Sequence, residues 1–196
     1  MIKIRGNGEA AMAPDAVEIQ FILERRDRHY EQVVQASHQQ LEQLASCLAG
    51  EGTLLTTNFT VDTELETVKS PNGEFTNVVR GYVARHYLTL ELNLNPDVLD
   101  RVLQKISQCQ AQPLLTIRYK VKDSQHLMNL ALQAAFKDAL MKANVLAEAS
   151  GVKLGTILEI NHEEFSVFRG FSTTTAEVQP AEISTQTWVL VTWELI

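Results

Sequence analysis

Cysteine is scarce. Only Cys47 and Cys109 occur in 196 residues, and they form no C-x-x-C pair. That excludes a disulfide-dense scaffold and a thioredoxin-like redox motif. Each falls near the end of a predicted helix, where an isolated cysteine behaves as a small hydrophobe, so two free buried thiols are expected rather than a bridge. Basic excess is missing as well: Lys and Arg number 17 against 24 Asp and Glu, for a net charge of -7. A sequence-independent nucleic-acid binder needs a basic face to displace counterions, so no nucleic-acid partner is expected. No apolar run approaches the roughly 20 residues that span a bilayer as a helix. The opening Met1-Ile2-Lys3-Ile4-Arg5-Gly6 lacks the apolar stretch of a secretory signal. The expected location is therefore cytoplasmic, or periplasmic or envelope if a signal has been removed.

Catalytic signatures are also missing. The histidines His29, His38, His86, His126 and His162 make no H-x3-H or H-E-x-x-H pattern, so no metal site is predicted. His162-Glu163-Glu164 is the best local set of metal-ligand types, but neighbours on a strand point to opposite faces. It is read as a solvated strand end. Gly6-Asn7-Gly8 lacks the third glycine and following helix of a dinucleotide fingerprint, and no Walker A or G-x-S-x-G sequence occurs. That glycine pair is read as a bulge or kink in the first strand. His86, between Ala84 and Leu88 on an apolar face, reads as a half-buried histidine with a satisfied hydrogen bond. No catalytic residue, cofactor or metal follows from the sequence, and the expectation is a protein that is not an enzyme.

What is present is an ordinary globular composition, 45% hydrophobic and 21% charged, which excludes disorder as the main reading. Folding a chain of this length hides roughly 70% of its extended surface. Period-two alternation marks strands at Ile2 and Ile4, at Val17, Ile19, Phe21 and Leu23, and at Leu115, Ile117, Tyr119 and Val121. Leu55 to Leu65 and Phe75 to Asn93 flank the turn signal Ser70-Pro71-Asn72-Gly73 and predict a long antiparallel hairpin. Ile157 to Ile160 and Ile183 to Leu195 predict two more strands.

Three helices are predicted. The first has Asp27 as its cap, with Tyr30, Val33, Val34, Leu41, Leu44, Ala45 and Leu48 along one stripe. The second starts at Asn95-Pro96-Asp97, a cap followed by proline at the first helical position. The third is an alanine-rich run from Asp123 or Ser124 to Ser150. Residues 163–181 show no period, which in a compact domain usually means function or mobility. The element order does not alternate as a doubly wound fold does. It predicts an α+β fold of long antiparallel strands with three helices packed on one face, as one domain over 1–196 or two lobes of about 1–94 and 95–196.

Three segments together resemble the SIMPL domain family, a domain of unknown function. They are Gly6-x-Gly8-Glu9 with Pro14-Asp15, then Ala131-x3-Ala135-x2-Asp138-Ala139-x2-Lys142-Ala143-x2-Leu146-Ala147 running on to Gly151-x2-Leu154-Gly155-x-Ile157, and Gln179-Pro180-x-Glu182-Ile183. Tyr82-x-Ala84 is a weaker match. The resemblance implies an α+β fold and, in some members, ring-like or channel-like oligomers. It also implies envelope export and stress responses for related bacterial proteins and, for a mammalian relative, association with a signalling kinase. It carries over no catalytic residue.

Two further features bear on partners. Asp62, Glu64 and Glu66 form an acidic column on one strand, and Arg118, Lys120 and Lys122 a basic one on another. They are expected to oppose each other within the monomer or between subunits. Phe165, Phe168 and Phe171 stand in the unpatterned segment and Trp188 lies on the otherwise polar face of the last strand. These four are the candidate interaction residues, with a helix, the loop or another subunit expected to cover the Trp188 face. The functional expectation is a non-enzymatic protein acting as a homo-oligomer or through another protein. The alternative is a small-molecule or cation-binding protein with a cleft between sheet and helices.

Overall fold

Val17, Ile19, Phe21 and Leu23 alternate with polar neighbours, so an extended backbone puts all four on one face. In the computed structural model, which describes residues 1–69, 75–162, 167–170 and 180–196, they line one side of β2 (Ala16–Asp27) and are excluded from water. Each such side chain contributes roughly 1.5–3 kcal/mol on burial. β4 (Phe75–Asn93) pairs with β2 antiparallel, from Val17 opposite Leu92 to Asp27 opposite Tyr82, and adds Leu88, Leu90 and Leu92 to the same face. Two helices cover it, α1 (Tyr30–Cys47) through Leu44 and α2 (Pro96–Ser107) through Val102 and Ile106. β3 (Leu54–Lys69) and β5 (Leu114–Lys120) complete a sheet of order β3-β4-β2-β5. These elements form one compact unit, Ala16–Tyr119.

The second helix starts as expected. The Asn95 side chain accepts from the N–H groups of Asp97 (2.9 Å) and Val98 (3.4 Å), with Pro96 in the first turn. The first does not. Its N-terminal boundary residue is His29, and Asp27 lies two residues earlier, its Oδ1 accepting from the His29 N–H at 2.8 Å. Asp27 thus shapes the turn between β2 and α1, because β2 continues through it instead of stopping before it.

The other unit joins Met1–Asp15 to Lys120–Ile196. β1 (Ile2–Met12) and β8 (Ile183–Leu195) pair antiparallel along their length, so the two ends of the chain lie side by side. β6 (Leu154–Asn161) and β7 (Val167–Gly170) both pair with β8. α3 (Ser124–Ala149) packs on this sheet, its first turn capped by Asp123, whose Oδ1 accepts from the His126 N–H at 2.8 Å. Ala131, Ala135, Ala139, Ala143 and Ala147, spaced by four, are the buried side of that helix. So small a surface lets backbone approach backbone. At Gly8 an added Cβ would stand 2.0 Å from the Ala131 carbonyl oxygen, and at Gly6 2.0 Å from that of Ala135.

Several expectations are corrected. β1 is continuous from Ile2 to Met12, and the glycine pair serves the close approach of α3 instead of a bulge. The fold is α+β, but the helices do not share one face of one sheet: α1 and α2 cover one sheet and α3 the other. Within the segment that shows no period, Val167–Gly170 forms a strand too short to display one. A boundary near residue 94 falls inside the Ala16–Tyr119 unit, between β4 and α2. Cys47 and Cys109 are joined in a disulfide, with Cα atoms 6.1 Å apart.

Candidate functional site

β2 ends opposite Tyr82, but β3 and β4 continue as a pair beyond it. Among the described residues, the ribbon from Leu65 opposite Val79 to Lys69 opposite Phe75 has two strands, a length of about 15 Å at the usual rise per residue. Facing pairs alternate sides, so Leu65, Val79 and Phe75 share one face and Val68 and Val78 the other. All five are exposed, Phe75 by 72% and Val79 by 58%. The register shifts between Glu64 and Leu65, where the ribbon leaves the sheet. Thr67 Oγ1 donates to Asn77 Oδ1 at 2.8 Å, and the Lys69 ammonium lies 5.8 Å from the Phe75 ring centre.

Below the ribbon, the outer face of the sheet carries an ionic ladder. Arg85 on β4 bridges Glu24 on β2 (2.8 Å) and Asp62 on β3 (3.1 Å). Arg26 reaches Glu64 at 2.8 Å, and Arg80 approaches Glu66 at 4.0 Å. The hydrogen bond from Arg85, with a second from Arg26, holds the Glu24 carboxyl below its ordinary range, and Glu24 in turn raises Arg85. The acidic column is therefore matched by arginines of β2 and β4. It does not face Arg118 within the monomer, because β3 and β5 are opposite edges of the sheet, and Lys122 lies beyond the end of β5.

Beside the ladder, the same outer face opens into a cavity of about 600 Å³ whose walls include Gln20, Ile22, Asn58, Tyr87 and Thr116. On the inner face Phe21, Leu23, Leu44, Leu90 and Val102 pack together as part of one buried cluster.

His86 sits on that inner face, 9% exposed, with Nε2 3.1 Å from Thr56 Oγ1 and its ring 5.0 Å from Phe59. Burial first, and then the charge of His38, push its pKa below the ordinary value. Glu51, in the turn after α1, went unnoticed in the sequence. Its side chain is 6% exposed and is gripped by Arg101 (2.8 Å) and Lys105 (2.6 Å) of α2. Those hydrogen bonds lower its pKa to about 2. Only the flanking Gly50 and Gly52 hinted at a specific turn there.

In the other unit, Trp188 is half-buried with the Arg5 guanidinium 4.5 Å above its ring, beside a cavity of about 510 Å³ that Asn7 and Gln186 also line. Its carbonyl oxygen lies 3.1 Å from His162 Nδ1. The buried partners of α3 on β8 are Val189, Val191 and Trp193, so the helix covers the face opposite Trp188. Phe165 and Phe171 lie outside the described residues, as do Glu163 and Glu164 of the metal-ligand set. Phe168 belongs to β7, opposite Thr185. Among the described residues no three His, Cys, Asp or Glu side chains cluster as metal ligands would, and no helix is long and apolar enough to cross a membrane.

The profile of one family, SIMPL, described as a protein of unknown function (DUF541), matches residues 2–193. The chain belongs to the SIMPL family. No curated protein matches it. The matched span runs from Ile2 to Trp193, which are partners at one end of the β1–β8 ladder, so the SIMPL domain encloses both units. Two segments that carried the resemblance meet in space. Gly6 and Gly8 receive the alanine side of α3, and Asp138 Oδ2 accepts from the Asn7 N–H at 2.8 Å while pairing with Lys142 at 2.6 Å. These SIMPL residues act as a packing device between strand and helix.

Proposed function

We propose that this SIMPL protein is not an enzyme and works by assembling with further copies of itself, with the β3–β4 ribbon as the contact. The observation that carries this reading is the run of exposed apolar residues on a two-stranded ribbon. A hairpin with no third strand is marginally stable in water by itself, and one with apolar groups on both sides gains most from being covered. Long exposed strand edges add unpaired backbone donors and acceptors that another strand satisfies. The best-placed ionisable groups, Glu24, Arg85, Asp62 and Glu51, are engaged in ion pairs that brace the sheet and α2. The test is sedimentation of the wild-type chain against a Phe75→Ser, Val79→Asp variant. Loss of the larger species with unchanged urea stability supports the reading, whereas identical sedimentation of the two proteins refutes it.

The cavity on the outer face favours a second reading, a small-molecule binder. Its size falls within the usual range for ligand sites, and Tyr87 gives it an aromatic wall. It lies on the open side of the sheet, away from the helices. A thermal-shift screen tests it: a compound that raises the Tm of wild type but not of Tyr87→Ala supports binding there, since only a ligand that prefers the folded state stabilises it. Equal shifts in both proteins count against this site.

A further inference from the structure

We propose that the Cys47–Cys109 bridge is a folding staple formed by thiol–disulfide exchange in an oxidising compartment, with Cys47 as the sulfur that first meets the donor disulfide. The two cysteines come from separate elements. Cys47 is the last residue of α1, and Cys109 lies two residues past α2 in a turn closed by its N–H bond to the Ile106 carbonyl (3.0 Å). Their Cα separation of 6.1 Å is within the normal range for a disulfide. The bridge spans 62 positions of sequence, so the closed loop contains β3, β4 and α2. Cross-links that close long loops restrict the unfolded chain most.

The surroundings argue for a staple over a reactive switch. Cys109 is 5% exposed and belongs to the core that holds Leu44, Leu48, Val102 and Ile106. Cys47 is half-buried and lines a surface cleft of about 500 Å³ with Gln39, Gln43, Gln108 and Gln110. Among the described residues no Lys, Arg or His lines that cleft and its one charged side chain is that of Glu42, so no cation there stabilises a thiolate as a catalytic or sensing cysteine requires. The pair is also held together by more than its own bond. Gln40 of α1 donates from Nε2 to the Ala111 carbonyl at 2.6 Å, gripping the same turn, and Gln112 beside it adopts a left-handed φ of 46°. A reduced chain that reaches this arrangement already has its sulfurs near each other.

The chemistry is exchange with the disulfide of an oxidoreductase. The Cys47 thiolate attacks one donor sulfur, forming a mixed disulfide and expelling the other donor sulfur as a thiolate. Cys109, having lost its proton, then attacks the Cys47 sulfur and releases the second donor thiolate. The two thiols of the chain are oxidised, the donor disulfide is reduced, and two protons end on the donor sulfurs. A reducing cytosol opposes this reaction and oxidising compartments favour it, so the inference points away from a cytoplasmic location.

The experiment uses the full chain and oxidised glutathione as the probe, with mass spectrometry reading the adduct. In native buffer the Cys109→Ser protein takes up glutathione at Cys47 faster than the Cys47→Ser protein does at Cys109, by on the order of tenfold or more, because thiolate access governs the rate. The difference disappears in denaturant. If the variants do not fold, wild-type protein reduced in place and quenched during re-oxidation gives the same reading, with glutathione trapped on Cys47. Equal native rates, or adduct mainly on Cys109, overturn the assignment of Cys47. Wild type is also produced in a reducing cytoplasm and in an oxidising compartment of one host. A bridge only in the second, with a higher urea midpoint that the reduced protein regains on oxidation, supports the staple. Full bridging in the reducing cytoplasm, or equal midpoints, refutes it.

Discussion

Replacing Gly8 with alanine tests the contact on which the β1–β8 unit is built. The new Cβ would lie 2.0 Å from the Ala131 carbonyl oxygen and 2.3 Å from the Ala135 nitrogen. Ordinary contact begins at 3.4 Å, so either α3 or β1 has to withdraw by more than an ångström. Both obstructing atoms are backbone, and no side-chain rotation relieves them. Withdrawal separates Ala135, Ala139 and Ala143 from Val189, Val191 and Trp193, and it stretches the Asn7–Asp138 hydrogen bond. Overpacking a well-filled core costs 1–3 kcal/mol and sometimes more, and an immovable obstacle places this case near the top, at about 3 kcal/mol. That is a large share of the roughly 5–15 kcal/mol that keeps a domain folded. Urea unfolding followed by circular dichroism reads the loss as a lower midpoint. Asn7→Ala serves as the control, since its side chain is exposed and such changes stay within about 0.5 kcal/mol. Gly8→Ala unfolding together with wild type would refute the close approach of helix and strand.

Reducing the Cys47–Cys109 bridge removes a constraint on a loop of 62 positions, and the chain-entropy estimate for that length is about 4 kcal/mol. Urea titration with and without reductant measures it, and coincident curves contradict the prediction. Glu51 is charged in the fold down to about 2, whereas its ordinary value is 4.5. Its ion pairs therefore stabilise the protein above 4.5, and that contribution is lost as pH falls toward 2. Glu51→Gln lowers the Tm at neutral pH and flattens the acid limb in that window; an unchanged acid limb refutes the assignment. His86 has the opposite chemistry, because burial holds its folded pKa below 6.5. As pH drops below 6.5 the unfolded chain takes up a proton that the folded chain refuses, so stability declines until the folded pKa is passed. His86→Asn removes this part of the pH dependence, and parallel pH profiles for the two proteins would count against it.

Local chemistry was legible in the sequence wherever one element supplies its own cause. The alternation through Phe21 and Leu23 marks β2, the Asn95-Pro96 start marks α2, and the alanine run marks α3. What stayed hidden depends on which elements meet. Gly6 and Gly8 look like a kink until a helix is laid across them, and the acidic column of β3 finds its partners on β2 and β4 only once the strand order is known. Cys47 and Cys109 sit at helix ends whose proximity no spacing reveals, so two buried thiols were expected where a bridge stands. β7 has four residues, too few to show a period. Trp188 is half-buried, yet the guanidinium over its ring belongs to Arg5, at the other end of the chain. The exposed side chains of the β3–β4 ribbon were read simply as strand, because sequence does not say where a neighbouring strand stops.

Light scattering on a sizing column, run across a dilution series, addresses self-assembly most directly. Covered ribbons predict a defined species at a whole-number multiple of 22.0 kDa that dissociates on dilution. A folded protein that elutes at 22.0 kDa at every concentration contradicts the account.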